Sequence, residues 1–159
     1  SLDVDISQIS QYVDSMSMCL SKGLGAPVGS ILVGSKEFIC EARRYRKMLG
    51  GGLRQAGYLA AAGSFAIDNH IRELKNDHLL AVKLKNGLEK IEAIEIISHD
   101  TNMLFIKVDK KHEEKLLAFL NDRGIFISGY SKLRLVTHRD INKEDIQTVI
   151  ESFNEFFKK

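Results

Sequence analysis

Several features are scarce in this 159-residue sequence, and each scarcity excludes a class of protein. The only two cysteines, Cys19 and Cys40, follow no metal-ligand or disulfide spacing, so we expect no metal site and a reducing, cytoplasmic location. No apolar run approaches the roughly 20 residues that span a bilayer, which argues against a membrane protein. A net charge of +2, from 23 basic and 21 acidic residues, gives no reason to expect nucleic acid as a partner.

The sequence has one proline, Pro27, and no repeat or low-complexity tract that would mark a linker. Domain boundaries must therefore be taken from the pattern of helices and strands. That pattern predicts a first part over residues 1–70, a connecting helix over 71–91 and a small α+β part over 92–159.

The first part is predicted to contain two short strands and two longer helices. The strands are expected at 14–20 and 30–34, both mostly buried, around a glycine-rich segment. A helix with a basic outer face is predicted over 36–48, and a helix over 59–67 is apolar on nearly every side, so it should be interior or at an interface. Two strands are few for these helices. We therefore expect the sheet to continue in polypeptide upstream of this chain.

The second part has the order ββαββα, which is typical of a small α+β layer. Its last helix is predicted to begin at Asn142, a good N-cap residue with Asp145 three positions later. The other expected elements are strands near 93–97, 103–108, 125–128 and 133–137 and a helix over 112–123 that Gly124 ends.

The segment from Ser17 to Gly29, SMCLSKGLGAPVG, carries the clearest chemical signal. Lys22 lies between a predicted strand and a glycine-rich turn, although an isolated loop lysine is usually a solvated charge. At a strand end, partial removal from water would favour the neutral amine, the form that attacks carbonyl groups. Gly23 and Gly25 would let the backbone approach a bulky group closely.

A nucleotide-binding loop is the alternative interpretation of these glycines. The sequence GLGAPVG has its third glycine one residue too late for G-x-G-x-x-G, and it precedes a strand instead of a helix. A Walker loop is also excluded, because Lys22 comes before the glycines and not after them.

Arg134 is the second candidate, since it lies between two leucines in an apolar strand and on the same face as Val136. A partly buried guanidinium needs an anion, which is either a carboxylate of the protein or a ligand. The residues alone leave both open. By contrast, Arg43, Arg44 and Arg46 fit a solvated helix face.

Several separate stretches resemble threonine aldolases, which are pyridoxal-phosphate enzymes with the aspartate aminotransferase-like fold. The similar stretches follow the order of that family and cover nearly the whole chain. They are CLSKGLGAPVGSILVGSKEFI, RRYRKMLGGGLRQAGYLAAAG, DTNMLFIKV and LRLVTHRDI.

The resemblance implies a fold and a set of site residues. The fold is α/β: the C-terminal part of the large pyridoxal-phosphate-binding domain, followed by a small α+β domain. Lys22 matches the lysine that forms the Schiff base with the cofactor, Lys47 and Arg54 match cofactor-binding residues near its phosphate, and Arg134 matches the arginine that binds the substrate α-carboxylate. His138 is part of the match without an assigned role. The histidines at 70, 78, 99 and 112 are interpreted as surface or packing residues.

The implied reaction is retro-aldol cleavage of L-threonine or L-allo-threonine to glycine and acetaldehyde, through the external aldimine. The family's other cofactor-binding groups would lie upstream, and the family usually forms homotetramers. Two alternatives remain open: another pyridoxal-phosphate lyase or racemase on the same scaffold, and a catalytically incomplete fragment that acts only in assembly.

Overall fold

The computed structural model describes residues 4–129 and 131–158. Contacts within the chain divide it into two compact units, with the boundary between Arg72 and Glu73. The helix predicted as a connector therefore belongs to the second unit, and each unit is described by itself.

The first unit is built from a two-stranded hairpin and three helices. A short helix, α1 (Ile6–Ser10), precedes strands β1 (Ser15–Cys19) and β2 (Ser30–Gly34), and helices α2 (Lys36–Met48) and α3 (Gly57–His70) follow. The two strands pair antiparallel, with Ser15 opposite Gly34 and Cys19 opposite Ser30. Ser35 ends the hairpin and caps α2, because its hydroxyl accepts the backbone N–H of Phe38. The predicted strands and helices of this part are confirmed.

The expected burial of the first unit is wrong for the described chain. In β1 only Ser15 and Met16 are even half-buried, and α2 has no buried residue. The apolar helix α3 buries only Gly63 and Ala66. Burial depends on what covers a surface, and the described residues of this unit form no second layer over most of it.

The second unit alternates helices with one antiparallel sheet. Helix α4 (Leu74–Leu88) leads to β3 (Glu95–Asp100) and β4 (Met103–Lys107), then α5 (Lys110–Asn121), β5 (Leu133–Val136) and α6 (Lys143–Lys158). The sheet order is β3-β4-β5, with both pairs antiparallel.

One side of this sheet and the helices enclose a continuous apolar core. Leu104 and Ile106 of β4 alternate with half-buried residues, as a strand with one covered face requires. Phe153 of α6 is 0% exposed and is among the largest core side chains. The cluster also contains Leu84, Leu88, Leu116, Leu120, Leu133, Leu135 and Ile146.

The predicted ββαββα order needs one correction. Instead of a fourth strand at 125–128, the structure has a single antiparallel bridge between Ser128 and Arg134. Gly129 and Ser131 both have positive φ, 140° and 60°, so the backbone turns too sharply after Ser128 for a longer ladder. The predicted cap of the last helix is confirmed: Asn142 accepts the N–H groups of Glu144 and Asp145 at 2.8 and 2.9 Å.

No helix among the described residues is long and apolar enough to cross a bilayer.

Candidate active site

Lys22 begins a turn at the closed end of the β1–β2 hairpin. The Leu20 N–H donates to the Gly29 carbonyl at 2.9 Å, which extends the strand pairing by one bond. Beyond that bond, the Gly25 N–H donates to the Lys22 carbonyl at 2.8 Å and closes a β-turn. Gly25 and Gly29 have φ of 70° and 112°, where a side chain would be strained. The glycines therefore shape the loop that presents Lys22.

The Lys22 side chain is exposed, so the predicted partial burial is wrong for this chain. Its ammonium makes no ion pair with any described residue. The backbone beside it is held far more firmly, since Leu24 and Ala26 are buried and the Ala26 N–H donates to the Leu20 carbonyl at 3.0 Å. An exposed amine on a held turn suits a lysine that must bond covalently to a ligand.

Helix α3 supports the turn from one side. A Cβ on Gly63 would lie 2.9 Å from Cδ1 of Leu20, so the absence of a side chain there allows the loop to pack closely. His70, at the end of α3, lies with Nδ1 2.6 Å from the Leu24 carbonyl oxygen. Its ring also meets the Phe65 ring edge-on at 5.4 Å between centroids.

A second cationic group forms where α2 ends. The Lys47 side chain lies across Gly52, and a Cβ at Gly52 would come within 2.9 Å of the Lys47 Nζ atom. Arg54 follows two residues later and is exposed. Gly52 thus leaves room for the Lys47 ammonium close to the backbone, two residues before the exposed Arg54. The structure places Lys22 at the closed end of the hairpin, and Lys47 and Arg54 at and after the end of α2.

Arg134 lies in the second unit, on the sheet face opposite the apolar core. Leu133 and Leu135 point into the core, whereas Arg134 and Val136 alternate to the open side. The prediction that Arg134 shares a face with Val136 is confirmed, but the expected partial burial is wrong. Arg134 forms no ion pair with a described carboxylate, so its guanidinium can bind an external anion.

The sequence interpretation of the histidines is confirmed for His112, whose ring packs edge-on against Phe156 and Phe157. It missed His70, which makes a directed hydrogen bond as well as a ring contact. Its position in the sequence could have indicated this role. His70 follows Gly63 and Ala66 at helical spacing, so it lies on the same face of α3 as these small buried residues.

A buried carboxylate, Asp77, is the other polar feature that the sequence did not indicate. Its Oδ2 atom has no hydrogen-bond partner among the described residues. Burial raises the pKa of Asp77 above its ordinary value, while the nearby positive charges of His138, His78 and Arg139 act in the opposite direction. The backbone beside it is anchored, because the Thr137 hydroxyl donates to the Asp77 carbonyl at 2.7 Å.

Comparison with known proteins shows which family and fold this chain resembles. A profile of the family described as beta-eliminating lyase matches residues 1–111. The chain belongs to the beta-eliminating lyase family. Within it, the chain is 41% identical over 155 residues to the low specificity L-threonine aldolase of Escherichia coli K12, covering 98% of this chain and 46% of that protein. The resemblance to threonine aldolases is therefore confirmed, and the chain spans about half the length of the curated relatives it matches.

Solved structures confirm the predicted fold class of this beta-eliminating lyase family member. The Leishmania major threonine aldolase superposes with a TM-score of 0.80 at 19% identity, covering 98% of this chain and 46% of that one. A structure of SPT with a PLP internal aldimine gives a TM-score of 0.71 at 18% identity, with 96% and 42% covered. The two units therefore correspond to parts of a pyridoxal-phosphate-dependent transferase-like fold.

Proposed function

We propose that this chain is part of a pyridoxal-phosphate-dependent aldolase that cleaves L-threonine or L-allo-threonine to glycine and acetaldehyde. The observation that carries the proposal is the exposed Lys22 at the turn that closes the hairpin, in a chain similar to a threonine aldolase along 98% of its length. A lysine in this position would hold pyridoxal phosphate through its amine nitrogen and would release it to the amine of the substrate.

Lys47 and Arg54 are the proposed phosphate-binding residues. The space above Gly52 lets the Lys47 ammonium lie close to the backbone, and the exposed Arg54 adds a planar donor for a second phosphate oxygen. Two cations would favour the doubly charged phosphate and would hold that end of the cofactor.

Arg134 is the proposed partner of the substrate carboxylate. Its place on the open sheet face leaves both guanidinium edges available for a bidentate contact. Holding the carboxylate fixes the rotation about the substrate Cα, and therefore which bond at Cα is aligned for cleavage. When bound, pyridoxal phosphate supplies the electron sink that accepts the electron pair of the breaking bond.

The surroundings of the chain are part of the same proposal. The exposed apolar side chains of α3, including Tyr58 and Phe65, support a surface that other polypeptide covers. That polypeptide would be another copy of this chain in a homotetramer, the segment upstream of this chain, or both. The two cysteines are free, which supports a cytoplasmic location. The reaction would consume threonine and form glycine, in amino-acid metabolism.

Borohydride reduction tests the role of Lys22 directly. The assembled protein that contains this chain is reduced in the presence of pyridoxal phosphate, digested and mapped by mass spectrometry. We expect a pyridoxyl group on Lys22 and none after Lys22→Ala, whereas Lys36→Ala serves as a control with an exposed helix lysine. A pyridoxyl group on another lysine, or on none, would contradict the proposal.

The description of the matched family suggests one alternative reaction, which is β-elimination from an amino acid such as serine. Both reactions need Lys22, so the products distinguish them. Acetaldehyde and glycine from threonine support the aldolase, and ammonia with a 2-oxo acid from serine, without cleavage of threonine, would support elimination.

Replacement of Arg134 by lysine should separate binding from chemistry. Lysine keeps the charge and loses the two-pronged geometry, so we expect KM for threonine to rise about tenfold or more. Lys132→Ala, which removes a nearby exposed charge, should leave KM nearly unchanged. Equal KM values in the Arg134→Lys variant and the parent protein would exclude Arg134 from carboxylate binding.

A further inference from the structure

The turn that carries Lys22 is attached to one face of α3 at two points. Just before the turn, Leu20 packs against Gly63 with no room for a Cβ. Inside the turn, the Leu24 carbonyl oxygen lies 2.6 Å from His70 Nδ1. Gly63 and His70 are about two helical turns apart, so the same face of α3 meets the loop on both sides of Lys22.

The direction of the His70 bond follows from its partner. A carbonyl oxygen accepts and never donates, so Nδ1 of His70 must carry the proton and donate it. Leu24 is 6% exposed, which leaves its carbonyl little access to water as a substitute partner. Loss of the His70 donor would therefore strand a buried acceptor, and the turn would have to move to satisfy it.

We propose that His70 is a positioning residue for Lys22. Its hydrogen bond to the Leu24 carbonyl fixes the third residue of the turn that Lys22 begins. The turn then sets the direction in which the Lys22 side chain leaves the backbone. The inference rests on the proposed function of Lys22. His70 acts through the turn and not on the reacting atoms.

Three substitutions distinguish a directed bond from simple packing. His70→Leu fills much of the space and donates no proton. In His70→Asn the amide nitrogen takes the place of Nδ1 along the side chain, so the bond to Leu24 can form again. His70→Gln carries its donor one bond farther out, in the place of Nε2. A packing role predicts that leucine is the best of the three, and a positioning role predicts that asparagine is.

Amide hydrogen exchange tests the bond without any cofactor. In the assembled protein, the Gly25 and Ala26 amides of the His70→Leu variant should exchange about tenfold faster than those of the parent, because the turn opens more often. His70→Asn should restore slow exchange. Peptides from α2 serve as the internal reference, and His112→Leu, which replaces a histidine that only packs, serves as the control variant.

Kinetics then test the consequence for Lys22. With a misplaced amine, His70→Leu should lower kcat for threonine cleavage about tenfold, while KM changes little because Arg134 is untouched. The rate at which added pyridoxal phosphate becomes reducible onto Lys22 should fall in the same variant. His70→Asn should recover both rates, and His70→Gln should recover neither.

Two results would overturn the inference. Unchanged exchange in His70→Leu would mean that the bond does not hold the turn. Faster exchange with kcat and cofactor loading intact would mean that Lys22 does not depend on the turn. Failure of the proposed function has a different signature, since the parent protein would then carry no pyridoxyl group on Lys22, whatever the exchange rates of the His70 variants.

Discussion

The two units of this chain differ in how much of their apolar surface they cover themselves. The second unit encloses a core with Phe153, Leu88 and Ile106 at its centre, each 0% exposed. The first unit buries only a few small or loop residues and leaves Tyr58 at 89% exposure. A unit without a covering layer leaves such surfaces open, whereas a small layered domain can complete its core alone.

This contrast separates the closed core of the second unit from the candidate lysine in the first. The second unit gains its stability from its own residues, since large apolar side chains removed from water dominate folding energetics. The first unit carries the candidate lysine and the proposed phosphate-binding pair, Lys47 and Arg54, on surfaces that only additional polypeptide or a second copy could enclose. Proposed catalysis therefore depends on assembly in the first unit far more than in the second.

The largest expected difference comes from removing one aromatic ring in each unit. Phe153→Ala should destabilise the second unit by about 3–5 kcal/mol, because it leaves a cavity in a closed core. Tyr58→Ala should change stability by less than about 0.5 kcal/mol in the chain alone, since the ring is exposed. Chemical denaturation, followed for each unit by amide exchange, measures both.

Tyr58→Ala and Phe153→Ala can also be compared in the assembled protein. If another polypeptide covers α3, Tyr58→Ala should become destabilising there while the effect of Phe153→Ala stays the same. An equally small effect of Tyr58→Ala in the chain and in the assembly would exclude Tyr58 from the interface.

A smaller difference should follow from adding one methyl group to a glycine in each unit. At Gly87 of α4 a Cβ would overlap Ile150 of α6, including Cγ1 at 2.6 Å and Cγ2 at 3.0 Å. Overpacking costs about 1–3 kcal/mol, and the better helix propensity of alanine offsets about 1 kcal/mol. Because isoleucine is stiff at χ1, we expect Gly87→Ala to destabilise.

Gly57 at the start of α3 provides the matched substitution. No atom lies within 4 Å of a Cβ built there, so Gly57→Ala should be neutral or slightly stabilising in thermal unfolding. A stabilised Gly87→Ala variant would mean that α4 and α6 have room to separate, and the second unit would be less tightly closed than its contacts indicate.

The same contrast explains how far the sequence could predict the fold. The bounds of α2 agree with the prediction, because its signals are local: Ser35 caps its start and glycines follow its end. The start of α6 was also predicted correctly, since the side chain of Asn142 caps the first turn within the chain itself. Burial of the hairpin could not be predicted, because it depends on neighbours that these residues do not include.

The candidate site was predictable to a similar, limited degree. Lys22, with its unusual glycine-rich neighbourhood, could be singled out from the sequence. Its bond network could not, because His70 meets Leu24 across 46 residues and no local pattern encodes that approach. Arg134 was placed on the correct face of its strand, but which face is covered is decided by helices elsewhere in the chain.

Removal of the side-chain cap at the start of a helix should lower the free energy of unfolding by about 1 kcal/mol where the helix contributes to a core. Asn142 accepts two backbone N–H groups at the start of α6, and its own N–H donates to Asp145 at 2.9 Å. Asn142→Ala should destabilise the whole second unit by about 1 kcal/mol, because α6 contributes to its core.

Ser35→Ala removes the corresponding cap of α2, which has no buried residue. There we expect faster amide exchange limited to the first turn of the helix, since little tertiary structure depends on it. Slower global unfolding in either variant would contradict the role assigned to these caps.

The last predicted difference concerns Asp77. This residue should change how steeply the free energy of unfolding varies with pH, without unfolding the protein. Burial raises the pKa of this carboxyl group in the folded chain above its ordinary value of 3.8. The folded state therefore holds the proton to higher pH than the unfolded state does, and stability falls as pH rises from 3.8 through the raised pKa. Below 3.8 both states are protonated, so Asp77 contributes no slope there.

Urea denaturation of the second unit between about pH 3.5 and 7 tests this sign. Asp77→Asn cannot titrate, so its stability should fall less steeply than that of the parent over the same interval. Asp100→Asn, which changes an exposed carboxylate, is the matched control and should keep the slope of the parent. Parallel curves for Asp77→Asn and the parent would mean that the nearby charges of His138, His78 and Arg139 balance the effect of burial on Asp77 in the folded chain.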